Sequence, residues 1–404
     1  MLRSRSLRFL LLGQTLSSLG DRALIIAFGI WAKELTGSDG AAGVAFFFVA
    51  FPTLLAPFAG VVIDRYPRRR VFLFANLIMA GVLLLGLLVH GSGQLWLLYL
   101  IILCYGFSTI FIDPTQSTII ASIVPKSELA DANGLLQTIS GGVRLLAPLI
   151  GAGLFTVVGG RAVAVIDAAT FVMAALCVLG VRVQEPQRDA AASASWRQEI
   201  NEGLRHVFRA AALRDVVLAL ALTMLVMGFS QTLIFAITDE GLHRPVAFVG
   251  VLSSVQGVGV ITAGFAAGLL ARRVGDVRVV TMGIACLTLA ALLYLVPHVA
   301  TAVGAAFVFG LAVCWTTVGL ITTVQLRTAP ELRGRALGTA MGAVSLPQTI
   351  SIALGAGLSV VVDYRVLLGL MAGVTAACAL WLAWRVPVGA AATEPRPVSD
   401  PAAD

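Results

Sequence analysis

The chain alternates between long apolar runs and short polar connectors along almost its whole length. Twelve runs are long enough to cross a bilayer as helices, because each spanning helix needs about 20 apolar residues. The predicted spans are residues 8–32, 42–63, 71–90, 95–122, 131–158, 161–181, 215–238, 246–270, 278–296, 299–326, 335–361 and 365–385.

A longer polar segment, residues 183–214, separates the sixth run from the seventh. Apolar side chains recur in this segment at spacings of three and four residues, with arginine and glutamate between them. The pattern predicts an amphipathic helix lying at the cytoplasmic face of the membrane. Its apolar positions are Trp196, Ile200, Leu204, Val207 and Phe208.

These segments divide the chain into four expected parts. The first apolar run continues to Trp31 without a small-residue cleavage site, so we interpret it as a span and not as a signal peptide. The C-terminal segment is rich in proline and alanine and is expected to be disordered. The parts are a six-helix bundle over 1–182, a linker over 183–214, a second six-helix bundle over 215–385 and a tail over 386–404.

Composition excludes a water-soluble protein. The chain is 58% hydrophobic and 12% charged, with a mean hydropathy of +0.94, whereas soluble chains are about 45–50% apolar and about 25% charged. An all-α polytopic membrane protein is therefore expected. The five cysteines all lie in apolar runs and show no metal-ligand spacing, so neither a disulfide framework nor a metal or other cofactor is predicted.

The distribution of basic residues predicts the orientation. If both termini are cytoplasmic, 22 of the 28 lysine and arginine residues fall on the cytoplasmic side. Because cationic loops resist translocation, this bias predicts a multi-pass protein of the cell membrane with both termini inside. The net charge of +7 is accordingly not interpreted as a nucleic-acid signal. The outer loops hold Lys33, Arg161, Arg244 and Arg365.

Two segments of the first half recur in the second half. The stretch "GVVIDRYPRRRVFL" matches "GLLARRVGDVRVV" with Gly60 aligned to Gly268, and "VPKSELADANG" resembles "APELRGRALG" at nearly the same offset. Two pseudo-symmetric six-helix bundles in parallel register are the architecture of one large transporter class.

The loop after the second span carries a specific motif. Gly60, Asp64, Arg65, Arg68 and Arg69 fit the signature G-x-x-x-D-R-x-G-R-R/K, with a proline where the last glycine usually stands. With "SLGDRALIIAFGIWAKELTGS" and "SELADANG", this loop makes the chain resemble the major facilitator superfamily. Within that family it resembles the bacterial drug and siderophore exporters of the macrolide, tetracycline-like and enterobactin efflux type.

The resemblance implies a cytoplasmic gate at this loop. In the family, the carboxylate and the arginines of the motif pair with each other and with the N-terminus of the eleventh span, and such contacts contribute about 0.3–2 kcal/mol each. Asp64, Arg65 and Arg69 are therefore expected to latch the cytoplasmic side. The second-half copy has Arg272 in place of the carboxylate, which predicts an asymmetric gate. A purely topological role for these arginines stays open.

The fifth span partly matches the antiporter signature of drug exporters. Pro148, Gly151 and Gly153 occupy the proline and spaced glycine positions, while Ala147 stands where the family has glycine. Close packing of two helices explains the same residues about as well as an antiport mechanism does.

Four charged residues lie near the middle of predicted spans: Asp21, Arg22, Asp113 and Arg144. A charge at this depth costs at least about 2.5–3.5 kcal/mol, so it marks a functional site by default. Our hypothesis is that Asp21 or Asp113 takes up a proton on the outer side and releases it inside when Arg144 approaches. A permanent ion pair without titration is the alternative.

Polar side chains follow one face of the first, fourth and fifth spans, and this pattern predicts a water-accessible cavity. The second half contributes fewer polar residues and, near the middle of its spans, no acidic one. The expected cavity residues are Gln14, Ser17, Ser18, Arg22, Tyr105, Thr109, Gln116, Gln137, Ser140, Gln231, Trp315 and Gln348.

The resemblance implies a secondary active transporter, and the expected partners are a small-molecule substrate, protons and the bilayer. We expect a monomer that exports a moderately apolar drug or secondary metabolite by alternating access, with proton antiport and multidrug resistance as its role. A lysophospholipid flippase or a small-molecule importer on the same fold is the alternative. An enzyme is disfavoured because the sequence has no H-E-x-x-H, G-x-S-x-G or P-loop motif.

Overall fold

A computed structural model describes residues 5–56, 59, 63, 66–123, 129–179, 196–328 and 332–385. Within these ranges the secondary structure is helical, with short turns and connectors between the helices. The tail over 386–404, the beginning of the linker and most of the loop motif after the second span lie outside them.

The first half contains six helical segments. They are α1 (Arg5–Thr36), α2 (Asp39–Ala50, continued by a 3-10 turn at Phe51–Leu55), α3 (Arg68–Leu84, continued at Leu85–Leu88), α4 (Leu95–Ile123, preceded by a turn at Ser92–Gln94), α5 (129–158) and α6 (160–179). Helices α5 and α6 form one helical run broken at Gly159, whose φ of 75° suits glycine. This break falls between the predicted fifth and sixth spans.

The second half begins with the linker helix. Its elements are α7 (Trp196–Arg209), α8 (Ala211–Met227), α9 (Ser230–Ala236, continued by a π turn at Ile237–Gly241), α10 (Phe248–Val274), α11 (Asp276–Tyr294), α12 (Val299–Arg327), α13 (Arg333–Leu358) and α14 (Tyr364–Arg385). Helices α8 and α9 together form the predicted seventh span. They are interrupted at Gly228, where a Cβ would lie 2.6 Å from the backbone N of Ile352.

Nine helices in the described part of the chain are long and apolar enough to cross a membrane, and the segment Asp39–Leu55 is a shorter apolar helix. The predicted second span, 42–63, is helical at its described residues, since residues 56, 59 and 63 are also helical after the 3-10 turn. Pro52 lies at the start of the 3-10 turn, where its ring and missing N–H interrupt the α-helical hydrogen bonds.

Large apolar side chains fill the inside of each half. In the first half, α1, α3, α4 and α6 contribute Phe28, Leu83, Leu98, Tyr105 and Phe171 to one buried cluster. The second half has one cluster around Leu252 and Leu368 and another around Val216 and Leu320. Because many other apolar side chains are exposed, including Phe265 and Trp384, the outer surface suits contact with lipid.

The two halves meet along small residues. A Cβ at Gly43 of α2 would overlap Thr232 of α9 and Ala356 of α13. A Cβ at Gly250 of α10 would lie 2.5 Å from the Cβ of Ala152 and 2.7 Å from the carbonyl of Pro148, both on α5. Glycine therefore lets these helices approach closely across the interface.

The amphipathic helix expected in the linker is present as α7. It packs on α13, where a Cβ at Gly203 would overlap Thr339 and where Arg335 forms an ion pair with Glu202. Val207 is fully buried, whereas Leu204 and Phe208 are exposed. One face of the helix thus rests on the second half while apolar side chains remain on its outer side.

Candidate functional site

A cavity of about 570 Å³ lies between the two halves. Helices α1, α2 and α5 form one wall, and α9, α10, α12 and α13 form the other. Most lining residues are apolar, and among the described residues no acidic side chain lines this cavity. Its main polar groups are Arg22, Gln231, Ser253, Gln256, Ser345 and Gln348.

A second cavity of about 330 Å³ extends from the first into the second half. Gln231, Gln256 and Gln348 line both cavities, so these three amides stand where the two volumes meet. Gln256 was not predicted from the sequence as a cavity residue. It is an amide within the apolar run of the eighth span, and the same feature led to the prediction of Gln231 and Gln348.

The other expected cavity residues lie in several different surroundings in the structure. Tyr105 is buried in the core of the first half, where its ring packs edge-on against Phe28 and Phe171. Trp315 donates its indole N–H to the carbonyl of Ala263 at 3.4 Å and thereby joins α12 to α10. Neither residue belongs to the wall of the central cavity.

Polar residues of α1 and α4 account for four further positions. Ser17 is buried on α1, and Ser18 is half-buried beside it. Thr109 donates its hydroxyl to the carbonyl of Gly106 within α4, and Gln116 is half-buried about two turns further along. The side chains of Gln14, Gln137, Ser140 and Arg144 lie outside the described part of the structure.

Two further carboxylates and one arginine lie around Asp21 in the first half. Asp21 lies within electrostatic range of Asp113 on α4, Asp167 on α6 and Arg22, its neighbour on α1. Arg22 also acts on Asp113 and lines the central cavity. The predicted pair of acids is therefore brought together around Arg22, and its relation to Arg144 stays a prediction.

Asp167 is the acidic residue that the sequence analysis did not place in the site. It is 2% exposed and accepts a hydrogen bond from Thr170 at 2.9 Å. A Cβ at Gly20, the residue before Asp21, would overlap Asp167 Oδ1. The carboxyl group of Asp167 thus lies directly against α1.

The gate motif is only partly described, since Gly60, Asp64 and Arg65 lie outside the described residues. Arg68 begins α3. Arg69 donates from Nη2 to the carbonyl of Leu179 at 2.6 Å, at the end of α6 in the same half. A cation at this position stabilises the C-terminus of a helix.

The antiporter-like residues of α5 have three different surroundings. Pro148 lines the central cavity, and its carbonyl faces Gly250 of α10. A Cβ at Gly151 would overlap the carbonyl of Ala23, so α5 lies against α1 there. A Cβ at Gly153 would meet no atom within 4 Å.

An ion-pair cluster joins the halves where α1 ends and α2 begins. Lys33 Nζ lies 2.6 Å from Asp39 Oδ1 and 2.9 Å from Asp239 Oδ2. It also lies 3.5 Å from the carbonyl of Phe235. Lys33 is 4% exposed, and Asp239 belongs to the π turn of the second half. The cluster therefore ties the first half to the second.

Two membrane-spanning halves around a central cavity are the architecture of one large transporter class. The family profile described as Major Facilitator Superfamily matches residues 10–243 and 219–402. The chain belongs to the Major Facilitator Superfamily. This membership confirms the expected fold of twelve transmembrane helices in two pseudo-symmetric bundles, and it identifies a multi-pass membrane transporter rather than an enzyme.

Individual relatives are distant. The chain is 24% identical over 369 residues to the putative bacilysin exporter BacE of Bacillus subtilis, covering 89% of this chain and 90% of that protein. It is 24% identical to macrolide efflux protein A of Streptococcus pyogenes over 48% of each chain. The first curated relatives are matched over 48% to 65% of their own length.

Solved structures support the same fold. The crystal structure of the nucleoside transporter NupG superposes with a TM-score of 0.77 at 14% identity, covering 94% of this chain and 98% of that chain.

Proposed function

We propose that this protein exports a small, moderately apolar compound, a drug or secondary metabolite, by alternating access in exchange for protons. The observation that carries the proposal is the central cavity between the halves. Its volume of about 570 Å³ falls within the range of about 300–1,000 Å³ for small-molecule sites. Similarity to a macrolide efflux protein and to a putative bacilysin exporter supports export.

The basic-residue bias supports a cell-membrane protein with both termini in the cytoplasm. The Lys33 cluster then lies at the outer end, because α1 begins inside. The cavity is lined by Thr53 late in α2 and by Val260 midway along α10, and both helices run inwards. These positions support a state that is closed to the outside and that takes up substrate from the cytoplasm.

The lining favours neutral or weakly acidic substrates. Arg22 supplies the positive charge, and three glutamines supply donors and acceptors in an otherwise apolar wall. A polycation would meet Arg22 without a compensating carboxylate among the described lining residues. Since both walls come from one chain, a monomer suffices for transport.

Proton coupling is assigned to Asp21 and Asp113, with Arg144 as the residue that displaces the proton. Both acids lie within electrostatic range of Arg22, which contacts the substrate cavity. A change at either carboxylate therefore alters the field at the binding site. The membrane potential adds about 2.3 kcal/mol per charge for each 100 mV, which suffices to export one substrate per proton.

The loop motif and the fifth span complete the proposed cycle. Asp64, Arg65 and Arg69 latch the cytoplasmic side when the cavity turns outwards. Gly250 lets α10 lie against α5 at Pro148, and Gly151 lets α5 lie against α1, so α5 moves with the interface between the halves.

Proteoliposomes loaded with a fluorescent efflux substrate test this function. An imposed proton gradient should drive accumulation, and a protonophore should abolish it. Asp21→Asn should remove the response to the gradient, whereas Asp363→Asn, in the connector before α14, should not. If accumulation is unchanged both by the proton gradient and by the protonophore, proton antiport is wrong. Transfer of a labelled lysophospholipid between leaflets would instead support a flippase.

A further inference from the structure

Two acidic residues that interact electrostatically lie inside the first half, Asp21 on α1 and Asp167 on α6. Asp21 Oδ1 and Asp167 Oδ2 are both enclosed by protein, and neither has a hydrogen-bond partner among the described residues. The other oxygen of Asp167 accepts from Thr170 at 2.9 Å. A buried polar atom without a partner is costly, so these two oxygens require an explanation.

The close packing of α1 on α6 brings the two carboxyl groups together. Gly20 is the position where the Asp167 carboxyl group touches the α1 backbone, and a side chain there would overlap it. Asp21 follows at the next position and interacts electrostatically with Asp167. The two acids are therefore neighbours across a single helix contact.

Among the side chains that the structure describes, the groups acting on Asp21 are one arginine, one tyrosine and one further carboxylate besides Asp167. From α4, Tyr105 donates its hydroxyl to the backbone carbonyl of Asp21 at 3.2 Å, and Asp113 adds a further negative charge. Arg22 is the described cation acting on Asp21, and it also acts on Asp113. From α6, Thr170 offers a hydroxyl group to Asp167. Arg144 of α5 lies outside the described side chains.

Two carboxylates enclosed in one helix contact cannot both stay ionised while α1 and α6 remain packed, because each disfavours the charge on the other. We propose that Asp21 and Asp167 form a carboxyl–carboxylate pair that holds one proton between α1 and α6. We assign the proton site of the transport cycle to this pair. The assignment rests on the proton coupling proposed above and adds to it a residue from the sixth span.

The shared proton satisfies both isolated oxygens, since the O–H of one group donates to the carboxylate of the other. One proton enters from the outer side and converts one carboxylate into a carboxyl group. The same proton leaves towards the cytoplasm and restores the ionised pair, whose repulsion then weakens the contact between α1 and α6. Because α1 also carries Arg22, Ile25 and Ile26 into the cavity wall, proton release is transmitted to the substrate site.

The test compares Asp167→Asn, Asp21→Asn and the control Asp363→Asn in proteoliposomes. Each variant is assayed for gradient-driven accumulation over a series of pH values and for substrate exchange without a gradient. Asp167→Asn should lose at least tenfold of the gradient-driven rate and its pH dependence, yet keep substrate exchange. Exchange requires a folded protein with an intact cavity, so a merely structural role of Asp167 would reduce both activities together.

Infrared difference spectra supply a second readout. The wild-type protein should show the band of a protonated carboxyl group at neutral pH, and both Asp21→Asn and Asp167→Asn should remove it. If Asp167→Asn keeps the wild-type pH profile and this band while Asp21→Asn loses coupling, the pair is wrong and proton antiport through Asp21 stands. If neither variant changes gradient-driven transport, proton coupling itself is wrong.

Discussion

The ammonium group of Lys33, carried by the first half, lies 2.9 Å from Asp239 Oδ2 of the second half. Lys33 is 4% exposed, whereas the Asp239 side chain is 58% exposed. Asp39, in the first turn of α2, supplies the second carboxylate at 2.6 Å. A buried ammonium group needs such partners. Because the Asp239 side chain is exposed, water screens its ion pair with Lys33. We therefore expect this contact between the halves to form and break during transport.

Replacing Lys33 by methionine should therefore shift the protein towards the state that is open at this end. The change leaves Asp39 and Asp239 facing each other without a cation, and we expect a bias of about 1–3 kcal/mol. Double electron–electron resonance between spin labels on the outer ends of the two halves measures the populations. Arg244→Met, which removes an exposed cation from the neighbouring connector, is the control. An unchanged distance distribution in the Lys33 variant would show that the cluster does not hold this end closed.

Gly43→Val should prevent closure of the same end by a steric route. A Cβ at this position already overlaps Thr232 and Ala356 across the interface between the halves, and overpacking costs about 1–3 kcal/mol. Transport should fall at least tenfold while the protein remains in the membrane. Gly81→Val is the matched control, since a Cβ at Gly81 would meet no atom within 4 Å. Equal transport by the two variants would contradict the close interface.

Bilayer thickness made the spans and the break near residue 159 predictable, because it fixes the length of every apolar run. Depth within the bilayer was harder to predict. Asp167 lies close to the start of α6, which suggested a position near the membrane surface. In the structure, however, Gly160 packs against the ring of Trp31, five residues before α1 ends. Helix α1 therefore extends beyond α6, and Asp167 reaches the level of Asp21.

Tyr105 was wrongly predicted to line the cavity. The prediction depended on its hydroxyl group, which in the sequence continues a polar face of the fourth span with Ser108 and Thr109. Both of these hydroxyl groups donate to carbonyls of their own helix, so a polar stripe need not face water. The second-half amides Gln231 and Gln348 did reach the cavity, because an amide has more hydrogen-bonding groups than its own helix can satisfy.

Arg69→Gln should separate the structural role of this arginine from its proposed gate role. Losing the guanidinium contact with the carbonyl of Leu179 removes a favourable charge at the end of α6, worth about 0.3–1 kcal/mol. Arg69→Lys keeps that charge and is the comparison variant. If the contact is only structural, Arg69→Gln lowers the unfolding temperature and leaves the transport rate of the remaining folded protein intact. A transport rate that falls more than tenfold without a change in unfolding temperature supports the gate.

Gln256→Ala and Gln348→Ala should weaken substrate binding without affecting proton coupling. Each amide borders both cavities, and one hydrogen bond contributes about 0.5–1.5 kcal/mol net, so KM should rise about 2- to 12-fold. Thr262→Ala is the control on α10, because the Thr262 hydroxyl group is exposed and donates to the carbonyl of Val258 in its own helix. Initial rates of accumulation across a substrate series give KM, and the ratio of protons to substrate gives coupling. An altered ratio with unchanged KM would place these amides in the proton path instead of the substrate site.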